Sequence, residues 1–200
     1  ESTWNLGLTA EFHMTNDSDL FRTEPISGRL PLYEGKMMHQ FTHQWGHPKY
    51  WLTEIEARKA LLGREVDKGK TLPYQNYRVA FRDIARNTDE RTGIATVLPP
   101  NVFCNHPLPY AHFNGVDFLQ YLEVLLVYCS IFNSFTVDYF LRQRVTTHLT
   151  FFIVYNTPFP RLTAGDPYFA PLVERAARLI CTTPEFDDLA REVGIGSHAG

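Results

Sequence analysis

One long apolar segment, residues 116–140, limits what this 200-residue chain can fold into. Its first part predicts an amphipathic helix over Asp117–Ser130. The apolar side chains recur at i, i+3 and i+4 spacing at Leu119, Leu122, Leu125, Leu126 and Cys129. Asn133-Ser134 interrupts the pattern, and a second helix is predicted for Phe135–Arg144. Acidic residues divide the segment into runs shorter than the ~18 apolar residues that a membrane span needs, so we expect no membrane association.

Shorter patterns on both sides of this segment predict strands as well as helices. Thr53–Leu62 is predicted to be a helix, with Thr53 as N-cap, Glu56 completing a capping box and Gly63 ending it. Alternating or β-branched runs predict strands at 77–84, 92–98, 101–105 and 149–154, and apolar periodicity predicts helices at 171–181 and 184–193. Residues 1–28 have an irregular pattern, and 29–45 fit either a strand and turn or a short helix.

These elements predict an α+β fold in which a small mixed or antiparallel sheet packs with several helices. The composition, 44% apolar and 20% charged, is that of a folded chain. Its length supplies one sizeable core and hardly two, so residues 1–200 are expected to form a single domain. The expected core residues are Leu32, Phe41, Phe81, Ile84, Leu122, Leu126, Phe151 and Phe152.

Charge is unevenly distributed along the chain and narrows the choice of partner. The net charge of −3 does not favour a general nucleic-acid coat protein. Residues 34–92 nevertheless carry 11 basic and 8 acidic side chains, whereas the remainder carries 8 basic and 14 acidic ones. This segment is therefore the part of the chain that we expect to face an anion.

Cysteine usage and the N-terminal residues bear on compartment and processing. Cys104, Cys129 and Cys181 are widely spaced and form no CxxC motif, which argues against a disulfide framework or a zinc ribbon. No signal peptide is recognisable. We therefore expect a cytoplasmic protein. Because the sequence begins with Glu1 and not with methionine, we also expect a fragment of a larger protein.

Catalytic signatures with fixed local spacing are missing from the sequence, including the nucleophile elbow, the Walker loop, the Rossmann fingerprint and HExxH. His39, His43 and His47 could ligate zinc on one face of a helix. Gly46 and Pro48 disfavour such a helix, so ordinary surface or core-edge histidines are the better interpretation.

A second weak constellation consists of Asp19, Glu34 and Lys36. Two carboxylates that hold Mg²⁺ and a lysine that helps to activate water form the outline of a metal-dependent nuclease site. A solvated charge cluster or a structural ion pair is the simpler interpretation, and the nuclease is kept as an alternative.

Arginines recur through the strand–loop–strand predicted for residues 77–98. They are Arg78, Arg82, Arg86 and Arg91. The planar guanidinium group binds phosphate or the guanine edge bidentately. Interleaved acidic residues could instead pair with these arginines and fix the loop, and the spacing alone leaves both interpretations open. Arg142, Arg144 and His148 form a similar cluster after a predicted helix.

Four motifs follow one another over about residues 14–160. They are Met14–Phe21, Pro31–Phe41, Phe81–Thr92 leading to Leu98-Pro-Pro100, and Asn133–Leu149 leading to Pro158-Phe-Pro160. Together they resemble the C-terminal region of N6-adenine DNA methyltransferases from restriction-modification and phage-exclusion systems. The last motif is also similar to the recognition domains of type I restriction specificity subunits.

The resemblance implies a DNA target-recognition domain. In that family the catalytic half lies upstream and carries an S-adenosylmethionine loop and an Asn-Pro-Pro-aromatic motif, and neither occurs in this sequence. We therefore expect a module that binds a particular double-stranded DNA sequence, holds no cofactor and catalyses nothing alone. S-adenosylmethionine would belong to a catalytic methyltransferase domain in the same or a partner chain.

The polar loops and helix ends are expected to supply the DNA contacts. The predicted contact residues are Lys36, His39, Gln40, His43, Arg82, Arg86, Arg91, Arg142, Arg144 and His148. Base-reading residues need not be those that match the family, because a shared motif can be a packing signature. Besides the nuclease, a protein-interaction module with an aromatic docking surface remains an alternative.

Overall fold

The computed structural model of the protein describes residues 4–197 and has the α+β architecture that the sequence predicts. The strands are β1 Asn5–Thr9, β2 Arg29–Tyr33, β3 Tyr50–Thr53, β4 Arg78–Phe81, β5 Ala95–Leu98, β6 Phe103–Cys104 and β7 Tyr110–Asn114. The helices are α1 Glu54–Leu62, α2 Phe118–Phe132, α3 Phe135–Arg142, α4 Phe151–Tyr155, α5 Phe169–Ile180 and α6 Asp187–Glu192. Single 3-10 turns occupy Ser18–Leu20, Gly35–Met37, Pro73–Gln75 and Pro184–Phe186.

The larger sheet has four strands in the order β1–β7–β4–β5 and is antiparallel throughout. The two strands predicted around residues 77–98 form its β4–β5 pair, with Arg78 opposite Leu98 and Phe81 opposite Ala95. β1 lies in the segment expected to be irregular, and that expectation is wrong. In β1, Leu6 and Leu8 alternate with Asn5, Gly7 and Thr9, as is typical of a strand, whereas its partner β7 has no clean alternation.

The smaller sheet has the order β3–β2–β6, and β6 runs parallel to β2. The strand predicted at 101–105 therefore exists as β6 but belongs to a different sheet from β5. Pro99-Pro100 ends β5, and Asn101 adopts a positive φ of 63° that turns the chain away. The undecided segment 29–45 resolves into β2 and a 3-10 turn, so His39, His43 and His47 do not share a helix.

Helix α2 is the centre of the main core. It packs against the larger sheet and α5, and its Phe132 ring stacks on the Phe81 ring with the ring centroids 5.4 Å apart. Leu122 and Leu126 are buried as expected. The helix begins where the Asp117 side chain accepts a hydrogen bond from the backbone N–H of Gln120 at 2.9 Å.

Two expected core residues are wrong, and so is one predicted strand. The strand predicted at 149–154 is instead helix α4, Phe151–Tyr155, which begins where the Thr150 hydroxyl accepts from the Ile153 N–H. The helical rotation turns Phe152 outward, 75% exposed, while Phe151 is half-buried. Ile84 lies beyond the end of β4 and is 60% exposed. Phe41 is also half-buried.

The remaining helices confirm the sequence predictions with one difference in detail. α5 and α6 lie within two or three residues of their predicted bounds, and α1 begins after Thr53 and ends before Gly63, whose φ is positive. The predicted capping box does not form, because Thr53 makes no side-chain cap hydrogen bond. Glu56 pairs with Arg22 at 3.3 Å instead.

Among residues 4–197 no single helix is long and apolar enough to cross a bilayer. The pair α2 and α3 reaches that length only together, and the chain bends by 61° between them.

A fully buried ion pair joins the two sheets. Nη1 of Arg78 on β4 donates to Glu11 at 2.8 Å, and both side chains are almost completely shielded from solvent. The second Glu11 oxygen accepts from the backbone N–H of Cys104 on β6 at 2.7 Å. The Arg78 guanidinium also lies 4.8 Å from the Tyr110 ring centroid. These contacts offset the cost of burying two charges.

We predict that Glu11→Ala destabilises the protein by about 3–5 kcal/mol, because it leaves the Arg78 charge buried without a counter-charge. Chemical unfolding followed by circular dichroism measures the change. Glu65→Ala is the matched control, since Glu65 pairs with Lys70 on the surface and should change the free energy of unfolding by no more than about 1 kcal/mol. Equal losses in the two variants would contradict the prediction.

Candidate nucleic-acid interface

A buried carboxylate organises the region where most of the predicted contact residues lie. Asp138 on α3 is 6% exposed. Its Oδ1 accepts hydrogen bonds from the backbone N–H groups of Thr92 and Gly93, both at 2.8 Å. Two arginines also approach the carboxylate: Arg142 at 3.2 Å and Arg91 at 3.6 Å. We call this cluster the Asp138 hub, and it fixes α3 against the end of the 86–93 loop.

Asn133, between α2 and α3, continues this polar network into the larger sheet. Its side chain accepts from the Ala95 N–H at 3.0 Å and donates to the Ala95 carbonyl at 2.8 Å, as a neighbouring strand would. The Asn133 carbonyl accepts from Nε2 of Gln40 and from Nη2 of Arg91. The segments around Gln40, around Arg91 to Ala95 and around Asn133 are far apart in the sequence and therefore meet at Asn133.

The loop of residues 86–91 is held by Arg142 on α3 and by a hydrogen bond within the loop itself. Arg142 donates to the carbonyls of Asn87 at 2.7 Å and Glu90 at 3.0 Å. Within the loop, the Asp89 carboxylate accepts from the Arg86 N–H at 2.8 Å. The expected pairing of the arginines of residues 77–98 with the interleaved acidic residues is wrong for the described residues, because Arg78 pairs with Glu11, Arg91 pairs with Asp138, and Asp89 binds only the Arg86 backbone.

Several predicted contact residues use their polar groups inside the protein. Arg82 donates through Nε to the Gly35 carbonyl at 2.7 Å and through Nη2 to the Met38 carbonyl. Gln40 is half-buried against Asn133, and His39 lies 4.8 Å from the Trp45 ring. Burial, followed by the Arg82 charge, lowers the pKa of His39. For these three residues a scaffold role accounts for the observed contacts.

His43 is the predicted contact residue that the structure places farthest from solvent. Its side chain is 4% exposed, stacks 6.3 Å from Tyr33 and meets the Phe186 ring edge-on at 5.0 Å. Burial lowers the pKa of His43 below its ordinary value of 6.5, and the Glu185 carboxylate, 4.0 Å away, opposes this shift. A DNA contact by this ring would require the Phe186 segment to move.

Four predicted contact residues lie at the surface. Lys36 pairs with Glu34 at 3.1 Å and is largely exposed. His148 lies 3.1 Å from Asp83, and Arg144 covers the Phe140 ring at 3.5 Å. Arg86 is exposed, and its guanidinium makes no hydrogen bond or ion pair with the part of the chain described here.

Sequence reasoning missed two exposed aromatic residues on α3. Phe135 is 83% exposed and Tyr139 is 68% exposed, while Val137, Asp138 and Leu141 face inward. Their i, i+4 spacing within a predicted helix is visible in the sequence and places both aromatic side chains on one face of that helix. The Arg91 guanidinium lies 4.6 Å from the Phe135 ring centroid. We call the exposed residues Phe135 and Tyr139, together with the arginines of α3, of its C-terminal end and of the loop that it holds (Arg142, Arg144, Arg86 and Arg91), the α3 surface.

The metal-based alternatives receive no support from the described residues. Residues 4–197 contain no group of three or more His, Cys, Asp or Glu side chains placed to hold a metal ion. Glu34 is paired with Lys36, and Asp19 lies in the separate 3-10 turn Ser18–Leu20. The nuclease therefore stays a prediction from the sequence alone.

Comparison with known proteins adds no assignment. No protein-family model matches the chain, and a search of curated proteins finds no significant relative.

We predict that Asp138→Ala lowers the free energy of unfolding by about 3–5 kcal/mol, because it strips the charge partner from two arginines and the acceptor from two backbone N–H groups. Hydrogen exchange should show selective loss of protection at Thr92 and Gly93. Asp188→Ala, which removes an exposed pair with Arg191, is the control. Unchanged exchange at Thr92 and Gly93 would mean that the hub does not hold the loop.

A second prediction concerns pH. Because the pKa of His43 is lowered in the folded state, protonation favours the unfolded chain. The stabilising contribution of neutral His43 is thus complete above pH 6.5 and is lost as the pH falls below that value. Between pH ~7.5 and ~5.5, His43→Gln should lose less stability than the unsubstituted protein, as measured by urea unfolding. Parallel losses in both proteins would show that His43 does not contribute.

Proposed function

We propose that this chain is a DNA target-recognition module of the kind that serves N6-adenine DNA methyltransferases, and that it contacts double-stranded DNA through the α3 surface. The observation that carries the proposal is the exposure of the Phe135 and Tyr139 rings along one face of a short helix, with the Arg91 guanidinium against the Phe135 ring. The major groove is wide enough to admit such a helix. Tyr139 and Gln143 are the exposed side chains in line for base edges.

The charges of the α3 surface divide into two groups. Arg91 and Arg142 are neutralised by Asp138 and bound to backbone carbonyls, so they position the loop and the helix. Arg86 and Arg144 are exposed and have no acidic partner, although Arg144 donates to the Phe140 carbonyl at 3.0 Å, so they are the groups that we assign to phosphate or to a guanine edge. With few unpaired cations, the isolated chain should bind DNA weakly and with a marked dependence on salt.

The methyltransferase part of the proposal rests on the resemblance described above. In such an enzyme the target base leaves the stack, so sequence discrimination comes from groups that reach the neighbouring base edges. The module would work beside a catalytic domain in the same or a partner chain, which supplies S-adenosylmethionine. No residue of this chain is assigned to that cofactor. A cytoplasmic role in restriction-modification or phage defence belongs to the same proposal.

Arg82 and Arg86 provide a matched test, because both come from the same predicted arginine cluster. We predict that Arg86→Ala weakens duplex binding and reduces the slope of log affinity against log salt by about 1, while the melting temperature stays unchanged. Arg82→Ala should instead lower the stability by about 1.5–3 kcal/mol, because two carbonyls lose a charged donor. Fluorescence anisotropy with a labelled random-sequence duplex and thermal unfolding provide the two readouts.

Arg178→Ala is the control for a lost surface charge, since Arg178 lies on α5 and pairs with Glu174. It should alter neither readout. Unsubstituted protein that fails to bind duplex DNA at low salt, or binding that ignores salt, would contradict the proposal and would favour a protein partner for the exposed rings of Phe135 and Tyr139.

A further inference from the structure

A cavity of about 580 Å³ lies at the N-terminal end of α2, between strands β1 and β7 of the larger sheet and residues 71–78. Its volume falls within the ~300–1,000 Å³ range of small-molecule pockets. α3 follows the opposite end of α2, and a helix of 15 residues is ~22 Å long. A ligand in this cavity would therefore bind independently of the DNA contacts proposed for the α3 surface.

His112 on β7 contributes a half-buried imidazole to the lining of this cavity. It pairs with Gly7 on β1, where a Cβ atom would collide with Nε2 of the His112 ring. Glycine at this position is therefore what allows the ring to lie over β1, a close approach that is typical of glycine within a strand.

The polar atoms of the His112 ring are free to bind a ligand. The ring makes no hydrogen bond or ion pair with residues 4–197, and neither of its nitrogens is among the unpartnered atoms that are shielded from solvent. Burial lowers the pKa of His112, which favours the neutral imidazole. A neutral imidazole offers one N–H donor and one acceptor nitrogen.

The floor of the cavity carries no net charge. Arg78 lies on the same face of the sheet as His112, because Ala80 is opposite Tyr110 in the β4–β7 pair and alternate residues share a face. Arg78 and Glu11 both line the cavity, and their ion pair at 2.8 Å compensates the two charges. The floor therefore offers no unpaired charge to an ionic ligand.

Groups at the edge of the cavity disfavour a charge of either sign. The Asp117 carboxylate, which accepts from the Gln120 N–H at 2.9 Å, repels an anion. The partial positive charge at the N-terminus of α2 disfavours a cation in the same place. Thr9 and Asn76 add polar groups that are neutral. These groups together favour an uncharged ligand.

Aromatic side chains form much of the remaining lining. They are Tyr77, Tyr110, Phe113, Phe118 and Tyr121. The Tyr121 hydroxyl donates to the Tyr77 carbonyl at 3.0 Å, and the Tyr77 hydroxyl donates to the Glu185 carbonyl at 2.9 Å. These two tyrosines thus contribute ring surface and no free hydroxyl. Aromatic walls of this kind favour a ligand that is itself aromatic, through offset or edge-to-face contacts.

We propose that this cavity binds an uncharged aromatic molecule whose hydroxyl, or a comparable neutral polar group, forms a hydrogen bond with His112. The aromatic lining selects a ring, and the compensated charges select an uncharged one. The imidazole without a protein partner selects a polar substituent on that ring.

Equilibrium dialysis with four naphthalene derivatives tests the proposal. 2-Naphthol is the probe, because it joins a neutral hydroxyl to a fused aromatic ring. Naphthalene lacks the hydroxyl, while 2-naphthoate and 2-naphthylmethylammonium carry a negative and a positive charge. We expect 2-naphthol to bind about fivefold or more tightly than each of the other three. Absence of saturable 2-naphthol binding at millimolar concentration, or an affinity no higher than that of any one of the three, would overturn the proposal.

Two variants connect binding to this cavity. His112→Phe keeps a ring and removes the hydrogen-bonding group, so the affinity for 2-naphthol should fall to that for naphthalene. Phe118→Glu places a charge on a lining residue that is 60% exposed, and it should weaken 2-naphthol and naphthalene alike by about fivefold or more. Phe152→Glu is the matched control, since Phe152 is an exposed phenylalanine of helix α4 outside the cavity and should change neither affinity.

Unchanged 2-naphthol affinity in either cavity variant would place the probe elsewhere and overturn the proposal. Because each readout is a binding constant, thermal unfolding of every variant is recorded beside it. A variant that no longer unfolds cooperatively is replaced by the other, so that a folding defect is not taken for lost recognition.

Competition with duplex DNA separates this inference from the proposed function. Excess random-sequence duplex should leave 2-naphthol bound, because the cavity and the α3 surface lie at opposite ends of α2. Displacement of the probe by the duplex would overturn the independent site. Binding of 2-naphthol by a protein that fails to bind duplex DNA would support the cavity, while the proposal for the α3 surface would fail.

Discussion

Burial of the Asp138 carboxylate is the constraint on which the orientation of α3 depends. An unpaired carboxylate at this depth would cost several kcal/mol, and two backbone N–H groups and two guanidinium groups offset that cost. Both N–H groups and Arg91 approach from the 91–93 segment, so few rotations of the helix about its axis satisfy them. The observed rotation turns Phe135 and Tyr139 to solvent. The exposed aromatic stripe is therefore a consequence of a polar network, and not of a lack of apolar contacts.

The same principle holds at the α2–α3 junction. The Asn133 side-chain amide forms the same two hydrogen bonds with the Ala95 backbone that a neighbouring strand would form. Gln40 and Arg91 donate to the Asn133 backbone carbonyl. Because buried polar groups are satisfied in few arrangements, this network holds α2, α3 and the 86–93 loop as one unit. A module that reads base edges needs such a rigid platform, since its contacts depend on side chains placed within a fraction of an ångström.

The sequence predicts α2 from the recurrence of apolar side chains such as Leu122 and Leu126. It predicts β4 and β5 from their β-branched and aromatic residues, although both strands are buried on both faces and show no period in their burial. It fails at α4, because Phe-Phe-Ile-Val-Tyr favours a strand by composition and only the Thr150 cap and the surrounding packing impose a helix. The candidate site was predictable only as a group of arginines. Their spacing could not separate Arg82, bound to two carbonyls, from Arg86, which faces solvent.

The motifs that carry the family resemblance are therefore largely the scaffold of the site. Arg82, Arg91 and Asp138 each bind backbone groups of another segment. Substitution of any one of them would therefore distort the segment that it holds. Arg86 and Arg144 lie in the same motifs, yet the Arg86 guanidinium holds no other segment, and the Arg144 guanidinium binds only the end of its own helix, at the Phe140 carbonyl. Surface side chains of this kind can change at little cost in stability. A framework built in this way can keep its shape while its outward groups, and with them the DNA sequence that we propose it reads, are replaced.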